Sequence, residues 1–186
     1  MKLAAISVGL LMLLTTVNAQ DLPKKIRGYK VYNAKVSVVN STTQAANNEN
    51  PDALVKFGEP TIAGIGFSGA IIEIAAEITS AKQNGQVEFV TFRDICINNT
   101  AIEIEEYKHP FTFNKGKPVI LPKPIRVSIS LTSLSKAAYH ELFQSGDKLK
   151  VTGTAFVFGK FKKFGFRFKR VVPIKIELTI RNPIRS

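Results

Sequence analysis

The last third of the chain alternates apolar and polar residues with a period of two. Phe164, Phe166 and Phe168 fall on one face and Arg167 on the other, and residues 174–181 continue the alternation with aliphatic side chains. This period is typical of half-buried antiparallel strands. We predict that the three phenylalanines are core residues, because burial of each contributes about 1.5–3 kcal/mol. The alternative is an exposed aromatic platform, which would leave an unusually large apolar patch in water.

Arg170 breaks the alternation, because it falls on the face of the phenylalanines. An unpaired guanidinium buried there would be costly. We predict a bulge or bend at residues 170–173, since Pro173 has no N–H for a ladder hydrogen bond. The alternative is an arginine that reaches a partner molecule or an internal carboxylate.

The middle of the chain contains further strand patterns. In residues 125–131 one face is apolar and the other polar, with Ile125, Val127, Ile129 and Leu131 opposite Arg126, Ser128 and Ser130. Such a strand has one dry face and one wet face. Pro122 and Pro124 precede it and indicate a sheet edge or a loop.

Residues 69–79 and 86–97 are predicted to be two strands. The first alternates isoleucine with glutamate, and the second is apolar on both sides around its centre. The Asn84-Gly85 pair between them is the strongest short hairpin signal, so we predict a tight turn there. Asn98-Asn99 predicts another tight turn after the second strand.

Three segments complete the outline. Residues 30–39 are predicted to form a strand, and residues 40–52, rich in asparagine and without apolar periodicity, a loop. Residues 133–146 predict one short helix that Gly146 terminates. The helix signal is the four-residue spacing of Leu134, Ala138 and Leu142.

The first 19 residues have the pattern of a secretory signal peptide. Lys2 precedes an apolar run from Leu3 to Leu14, and Val17 and Ala19 suit signal peptidase. The apolar run is shorter than the roughly 20 residues that cross a bilayer. We therefore expect a secreted or periplasmic protein with a single domain over residues 20–186, and an uncleaved membrane anchor is the alternative.

Charge and cysteine content restrict the class of protein further. The single cysteine, Cys96, cannot form an internal disulfide, so we expect packing alone to hold the fold together. The 26 Lys and Arg against 14 Asp and Glu give a net charge of +12. Residues 147–186 hold 11 basic and two acidic residues, and this imbalance would concentrate anions near their surface.

Catalytic and metal-binding patterns are nearly absent from the sequence. His109 and His140 are expected to be solvated surface residues, because no second histidine or cysteine stands at metal-ligand spacing. Cys96, between two isoleucines, is expected to be a buried and inert thiol. The acidic group formed by Glu103, Glu105 and Glu106 is expected to be a solvated face. We predict no catalytic residue, no metal site, no cofactor and no enzymatic activity.

A group of basic residues in the last third of the chain is the candidate binding site. Its members are candidate contacts to an anionic surface: Lys160, Lys162, Lys163, Arg167 and Lys169. They could dock on the phosphates of a membrane or a polyanion in a salt-dependent way. They could equally be edge lysines that prevent aggregation between strands. Nucleic acid is disfavoured, because the phenylalanines that would stack on bases are predicted to be core.

The order of these elements resembles the late embryogenesis abundant type 2 (LEA-2) family, also called the water stress and hypersensitive response (WHy) domain. The similarity lies in "LPKPIRVSISLTSL", one helix, and then "GDKLKVTGTAFVFGKFKKFGFRFKRVVPIKIEL", and it covers about residues 30–180. The resemblance implies an antiparallel β-sandwich of the fibronectin or immunoglobulin type with one short inserted helix. It also implies a non-enzymatic protein linked to desiccation or stress tolerance.

Two functions follow as hypotheses. The first is an exported, non-catalytic stress protein that acts by binding or shielding other molecules. The alternative is a cationic module that binds an anionic envelope surface, lipid head groups or nucleic acid. An enzyme is the least favoured class.

Overall fold

The computed structural model describes residues 22–40, 50–80, 82–130 and 146–183. The expected signal peptide, most of the predicted loop at residues 40–52 and nearly all of the predicted helix at residues 133–146 lie outside these ranges. The described residues form fourteen strands joined by turns and loops. The strands are β1 (Lys25–Ile26), β2 (Tyr29–Val31), β3 (Val36–Asn40), β4 (Ala53–Phe57), β5 (Thr61–Gly66), β6 (Gly69–Ile74), β7 (Ala76–Ser80), β8 (Gly85–Ile97), β9 (Thr100–Ala101), β10 (Phe111–Phe113), β11 (Pro118–Ile120), β12 (Ile125–Ser130), β13 (Lys148–Lys163) and β14 (Phe166–Arg181).

The strands form three sheets, which pack as a β-sandwich. The long sheet has the order β1-β2-β14-β13-β8-β10, with β9 beside β8. The near sheet, β11-β7-β4-β3, packs on the part of the long sheet closer to the turn between β13 and β14. The far sheet, β12-β6-β5, packs on the opposite part. The predicted all-β sandwich is therefore confirmed, with two short sheets sharing one layer.

The run at residues 69–79 is divided between the two short sheets. Ala75 separates β6, in the far sheet, from β7, in the near sheet, so the prediction of one strand is wrong. Ile72 and Ala76 are both buried on either side of this break. The apolar alternation continues through the break because both short sheets face the same long sheet.

The Asn84-Gly85 hairpin is also wrong, because β7 and β8 lie in different sheets and do not pair. Asn84 instead stabilises the crossing between layers. Its Oδ1 accepts a hydrogen bond from the Lys115 N–H at 2.6 Å, and its carbonyl accepts one from the Lys162 N–H at 2.9 Å.

The Asn98-Asn99 turn is confirmed. These residues have φ of 47° and 67° and join β8 to β9 in a hairpin in which Ile97 pairs with Thr100. Asparagine tolerates this left-handed conformation better than most residues do.

Two further strand predictions have different outcomes. In β12, buried and exposed residues alternate through all six positions, as the sequence predicts; Leu131 lies outside the described residues. The predicted strand at residues 30–39 is instead β2 and β3, which belong to the long and near sheets. Residues 32–35 carry the chain between the layers.

The predicted bulge at Arg170 is wrong as well, because β14 pairs with β13 without a register shift through residues 170–173. Arg170 lies over the Tyr32 ring at 4.5 Å and the Phe168 ring at 5.3 Å. Pro173 is tolerated because its backbone nitrogen lies on the side of β14 that faces away from β13, so no ladder hydrogen bond is lost. The Val171 carbonyl lies on the same side and accepts a hydrogen bond from the Tyr32 N–H at 2.9 Å.

Both faces of the long sheet are buried around Val171 and Val172. Val172 packs in the core between the layers, whereas Val171 packs with Phe156 and Phe158 on the outer face, under β1 and β2. The N-terminal strands thus provide a third, partial layer over the outer face.

We predict that Gly159→Ala destabilises the protein by about 1–3 kcal/mol, the usual cost of overpacking. A Cβ at this position would overlap the Gln86 carbonyl oxygen and lie 3.1 Å from the Val87 Cα. Gly64→Ala is the matched control, because a Cβ there meets nothing within 4 Å. Denaturant unfolding measures both changes, and an equal loss in the two variants would contradict the packing of β8 against β13.

Candidate functional site

The two longest strands of the long sheet, β13 and β14, form a hairpin. Its strands are 16 residues each and pair continuously from Lys148 with Arg181 to Lys163 with Phe166. Phe164 and Gly165 form the turn with φ of 50° and 83°. Two consecutive positive φ angles match the right-handed twist of paired strands, so this short turn keeps the two strands in register.

The hairpin extends past the strands beside it. The last β8 pair is Phe161 with Gly85, and β2 pairs with β14 only at residues 170 and 171. Past Phe161 the ladders of the described residues join β13 to β14 alone, and one hydrogen bond from the Lys162 N–H to the Asn84 carbonyl lies beside them. We call residues 160–169 the hairpin tip.

The three phenylalanines predicted as core are exposed in the hairpin tip. Phe164 is 87% exposed, Phe166 70% and Phe168 42%. Phe168 pairs with Phe161, which is only 5% exposed and packs on Phe113 with ring centroids 6.0 Å apart. The apolar face is therefore continuous with the core face, but the near sheet no longer covers it at the tip.

The candidate cations lie on the opposite face of the hairpin tip. Lys160 pairs with Lys169, and Lys162 with Arg167, at alternate positions of the ladder, with the Phe161–Phe168 pair between them. Directly opposed residues of an antiparallel pair share a face, so these four side chains lie together. Lys163 ends β13, and its side chain lies outside the described atoms.

Glu88 forms an ion pair with Lys160 of the first cationic pair. It is the extra residue of a β-bulge, where Phe158 pairs with Phe89 and Gly159 with Val87. Lys160 Nζ lies 2.8 Å from its carboxylate, and the Tyr29 hydroxyl donates to it at 2.6 Å. The bulge places Glu88 and Phe89 on the outer face together, which a regular strand would not do.

These contacts shift two pKa values. The hydrogen bonds from Lys160 and then Tyr29 lower the pKa of Glu88 below its usual 4.5, so it remains a carboxylate. The bond to that carboxylate, followed by burial, raises the pKa of Tyr29 to about 12. Tyr29 therefore remains a hydrogen-bond donor, and its bond to Glu88 joins β2 to β8.

The second cationic pair has no comparable counter-ion. Within the described ranges, neither Lys162 nor Arg167 has a carboxylate within salt-bridge distance. Like charges directly opposed on a sheet destabilise it by roughly 0.2–1 kcal/mol. A bound anion would relieve this repulsion.

A second aromatic group lies beside the cations, but it is packed. The rings of Tyr29, Phe89 and Phe158 contact one another with centroids 4.5–5.9 Å apart. Arg27 lies over two of them, and Lys169 Nζ is 5.7 Å from the Tyr29 ring. Phe158 is only 1% exposed, and Tyr29 and Phe89 are half-buried, so this group holds β1 and β2 in place.

The other residues considered from the sequence do not converge on a site. Glu103 and Glu105 are exposed, and Glu106 pairs with Arg27 at 2.8 Å. His109 is exposed beside the Tyr107 ring, while His140 lies outside the described residues.

Cys96 is half-buried, so the expectation of full burial is wrong. In the part of the chain that the structure describes, no group of three or more His, Cys, Asp or Glu is placed to hold a metal ion. No helix of these residues is long and apolar enough to cross a membrane.

Comparison with known proteins yields little. No family model and no curated protein matches this chain. Among solved structures, the crystal structure of a protein from Archaeoglobus fulgidus is similar at a TM-score of 0.38, with 13% identity over 67% of this chain and 94% of that chain.

We predict that Glu88→Gln removes part of the acid dependence of stability. Because the folded pKa of Glu88 lies below its unfolded value, its contribution is fully present above about pH 4.5 and is lost as the pH falls through the folded pKa. Denaturant unfolding between pH 7 and pH 3 should give a shallower decline for Glu88→Gln than for the parent. Glu103→Gln, an exposed control, should decline as the parent does, and identical slopes in all three proteins would refute the Glu88 contacts.

Proposed function

We propose that this protein is a non-catalytic binding protein that docks on an anionic lipid surface through its hairpin tip. The observation that carries the proposal is the combination of two exposed phenylalanines, Phe164 and Phe166, with the unneutralised Lys162–Arg167 pair at one projecting end. Neither feature alone would select a membrane, because apolar rings suit many partners and cations suit any polyanion.

The arrangement of the two faces favours a membrane over nucleic acid. Rings and cations lie on opposite faces of a two-stranded ribbon, whereas a nucleic-acid strand needs both along one groove. A ribbon that enters the head-group region tip-first satisfies both faces at once. Apolar side chains such as phenylalanine insert at the boundary between head groups and acyl chains, and lysine and arginine side chains extend from it towards the phosphates.

The charge of the chain supports the same partner. Of the net +12, residues 147–186 contribute 11 basic residues against two acidic ones. Each cation near an anionic leaflet contributes about 1 kcal/mol to binding, and the attraction decays within a Debye length. The field brings the protein to the surface, and the exposed rings add a contribution that salt does not screen.

The resemblance to LEA-2 proteins supports a location and a purpose for this docking. An exported protein of that type would act on the envelope surface, and covering a membrane during water loss is a form of shielding. The expected signal peptide and the β-sandwich are both consistent with that role. We therefore include stress protection and secreted or periplasmic localisation in the proposal.

We predict that Lys162→Gln/Arg167→Gln binds anionic vesicles about 30-fold more weakly than the parent mature chain. Two cations at about 1 kcal/mol each correspond to this factor. The matched control is Lys148→Gln/Arg181→Gln, which removes the same charge from a cross-strand pair about 45 Å away along the same strands. Co-sedimentation with phosphatidylglycerol vesicles measures the affinities, and phosphatidylcholine vesicles are the neutral reference.

The control should bind nearly as the parent does. An equal loss in both double variants would mean that diffuse charge, and not the hairpin tip, binds the surface. In a second arm, Phe166→Ser should abolish the binding that persists at high salt, whereas Ile120→Ser, a similarly exposed position at 67%, should not. Equal parent binding to the neutral vesicles would overturn the proposal.

A further inference from the structure

Four apolar spaces lie in line between the two layers of the sandwich. Phe161 lines the first and Leu149 the fourth, about 40 Å apart along β13 at the usual rise per residue. Consecutive spaces share lining residues, and we call this row of four spaces the channel. Val157 and Ile174 line both the first and the second space. Phe92 and Ile176 line the second and the third, and Val151 and Ile180 line the third and the fourth.

The side chains around the channel do not fill it. Val36, Ile78, Val157 and Ile174 all point between the layers, yet each is only partly buried. Protein interiors are normally close-packed, with few voids larger than a water molecule. Each of the four spaces has a cavity volume of about 40 to 60 Å³.

The walls are hydrocarbon except at one end. Asp52, Ser80 and Gln83 line the first space, next to Phe161 and therefore at the hairpin end. Asp52 is paired with Lys82 at 2.5 Å and accepts from the Lys35 N–H at 2.9 Å, and these bonds lower its pKa. The channel thus has a polar mouth and an apolar interior.

This chemistry excludes most occupants. Water needs two to four polar partners, and a peptide strand needs partners for its N–H and C=O groups; the inner walls offer neither. A linear aliphatic chain needs none. The hydrocarbon core of a bilayer, about 30 Å thick, holds two chain lengths, so one acyl chain is shorter than the channel.

We propose that the channel between the layers binds one linear acyl chain, with its polar head group at the mouth beside Ser80 and Gln83. The choice of a lipid as its source rests on the proposed function, because the mouth lies at the end of the molecule that would contact the membrane. The shared chemistry is the acyl chain, whether it belongs to a free fatty acid or to a phospholipid.

The test uses cis-parinaric acid, a linear fatty acid that fluoresces in apolar surroundings, with the full mature chain in solution. The parent protein should bind it saturably, and palmitate should displace it. Ile174→Phe should weaken binding about 15-fold, because the added ring displaces about two methylene groups and each contributes roughly fourfold. Ile71→Phe is the matched control, since Ile71 is 40% exposed and lines none of the four spaces.

The result remains decisive if Ile174→Phe fails to fold. In that case, competition with saturated fatty acids on the parent protein should show affinity rising about fourfold per added methylene from octanoate upwards. Affinity that is independent of chain length, or absence of saturable binding, would overturn the proposal. Equal weakening in folded Ile174→Phe and Ile71→Phe would also overturn it.

The acyl-chain proposal and the docking proposal fail separately. Phe166→Ser should lose salt-resistant vesicle binding but bind cis-parinaric acid as the parent does, because its ring lies outside the channel. Fatty-acid binding without vesicle binding would support the acyl-chain proposal and refute the docking proposal. To test whether the acyl chain comes from a phospholipid, the protein is recovered from phosphatidylglycerol vesicles and the co-eluting lipid is measured. If the protein binds fatty acid but carries no phospholipid, the ligand is the free acid.

Discussion

The length of the β13–β14 ladder is the constraint on which the rest of the structure depends. Two strands of 16 residues pair without interruption, and the turn at Phe164-Gly165 fixes their register. No other described sheet is this long, so the covering layer is built from two shorter sheets. The same excess length leaves the hairpin tip uncovered, and the core face of the strands becomes an exposed aromatic face there.

A divided covering layer also explains the channel. Ala75 is the one residue between β6 and β7, and the chain must leave one short sheet and enter the other at that position. The long sheet lies opposite both short sheets. The aliphatic side chains between them meet incompletely, whereas the outer face around Val171 and Phe158 is fully packed.

The sequence predicted the strand content well, since period-two alternation in β12 and β14 depends only on which residues share a face. It failed where the identity of the covering element decides burial. Phe166 and Ile176 lie in the same strand with the same kind of pattern, but only Ile176 has a sheet opposite it. The contact between Glu88 and Lys160 is not predictable from the sequence, because it depends on a β-bulge for which the sequence contains no signal.

The most direct test of the account is the environment of residue 166. The chain contains no tryptophan, so Phe166→Trp gives a single reporter. The account predicts red-shifted emission, readily quenched by acrylamide in buffer, and a blue shift with reduced quenching on phosphatidylglycerol vesicles. Blue-shifted, unquenched emission in buffer alone would show that this face is covered in solution and would contradict the exposed hairpin tip.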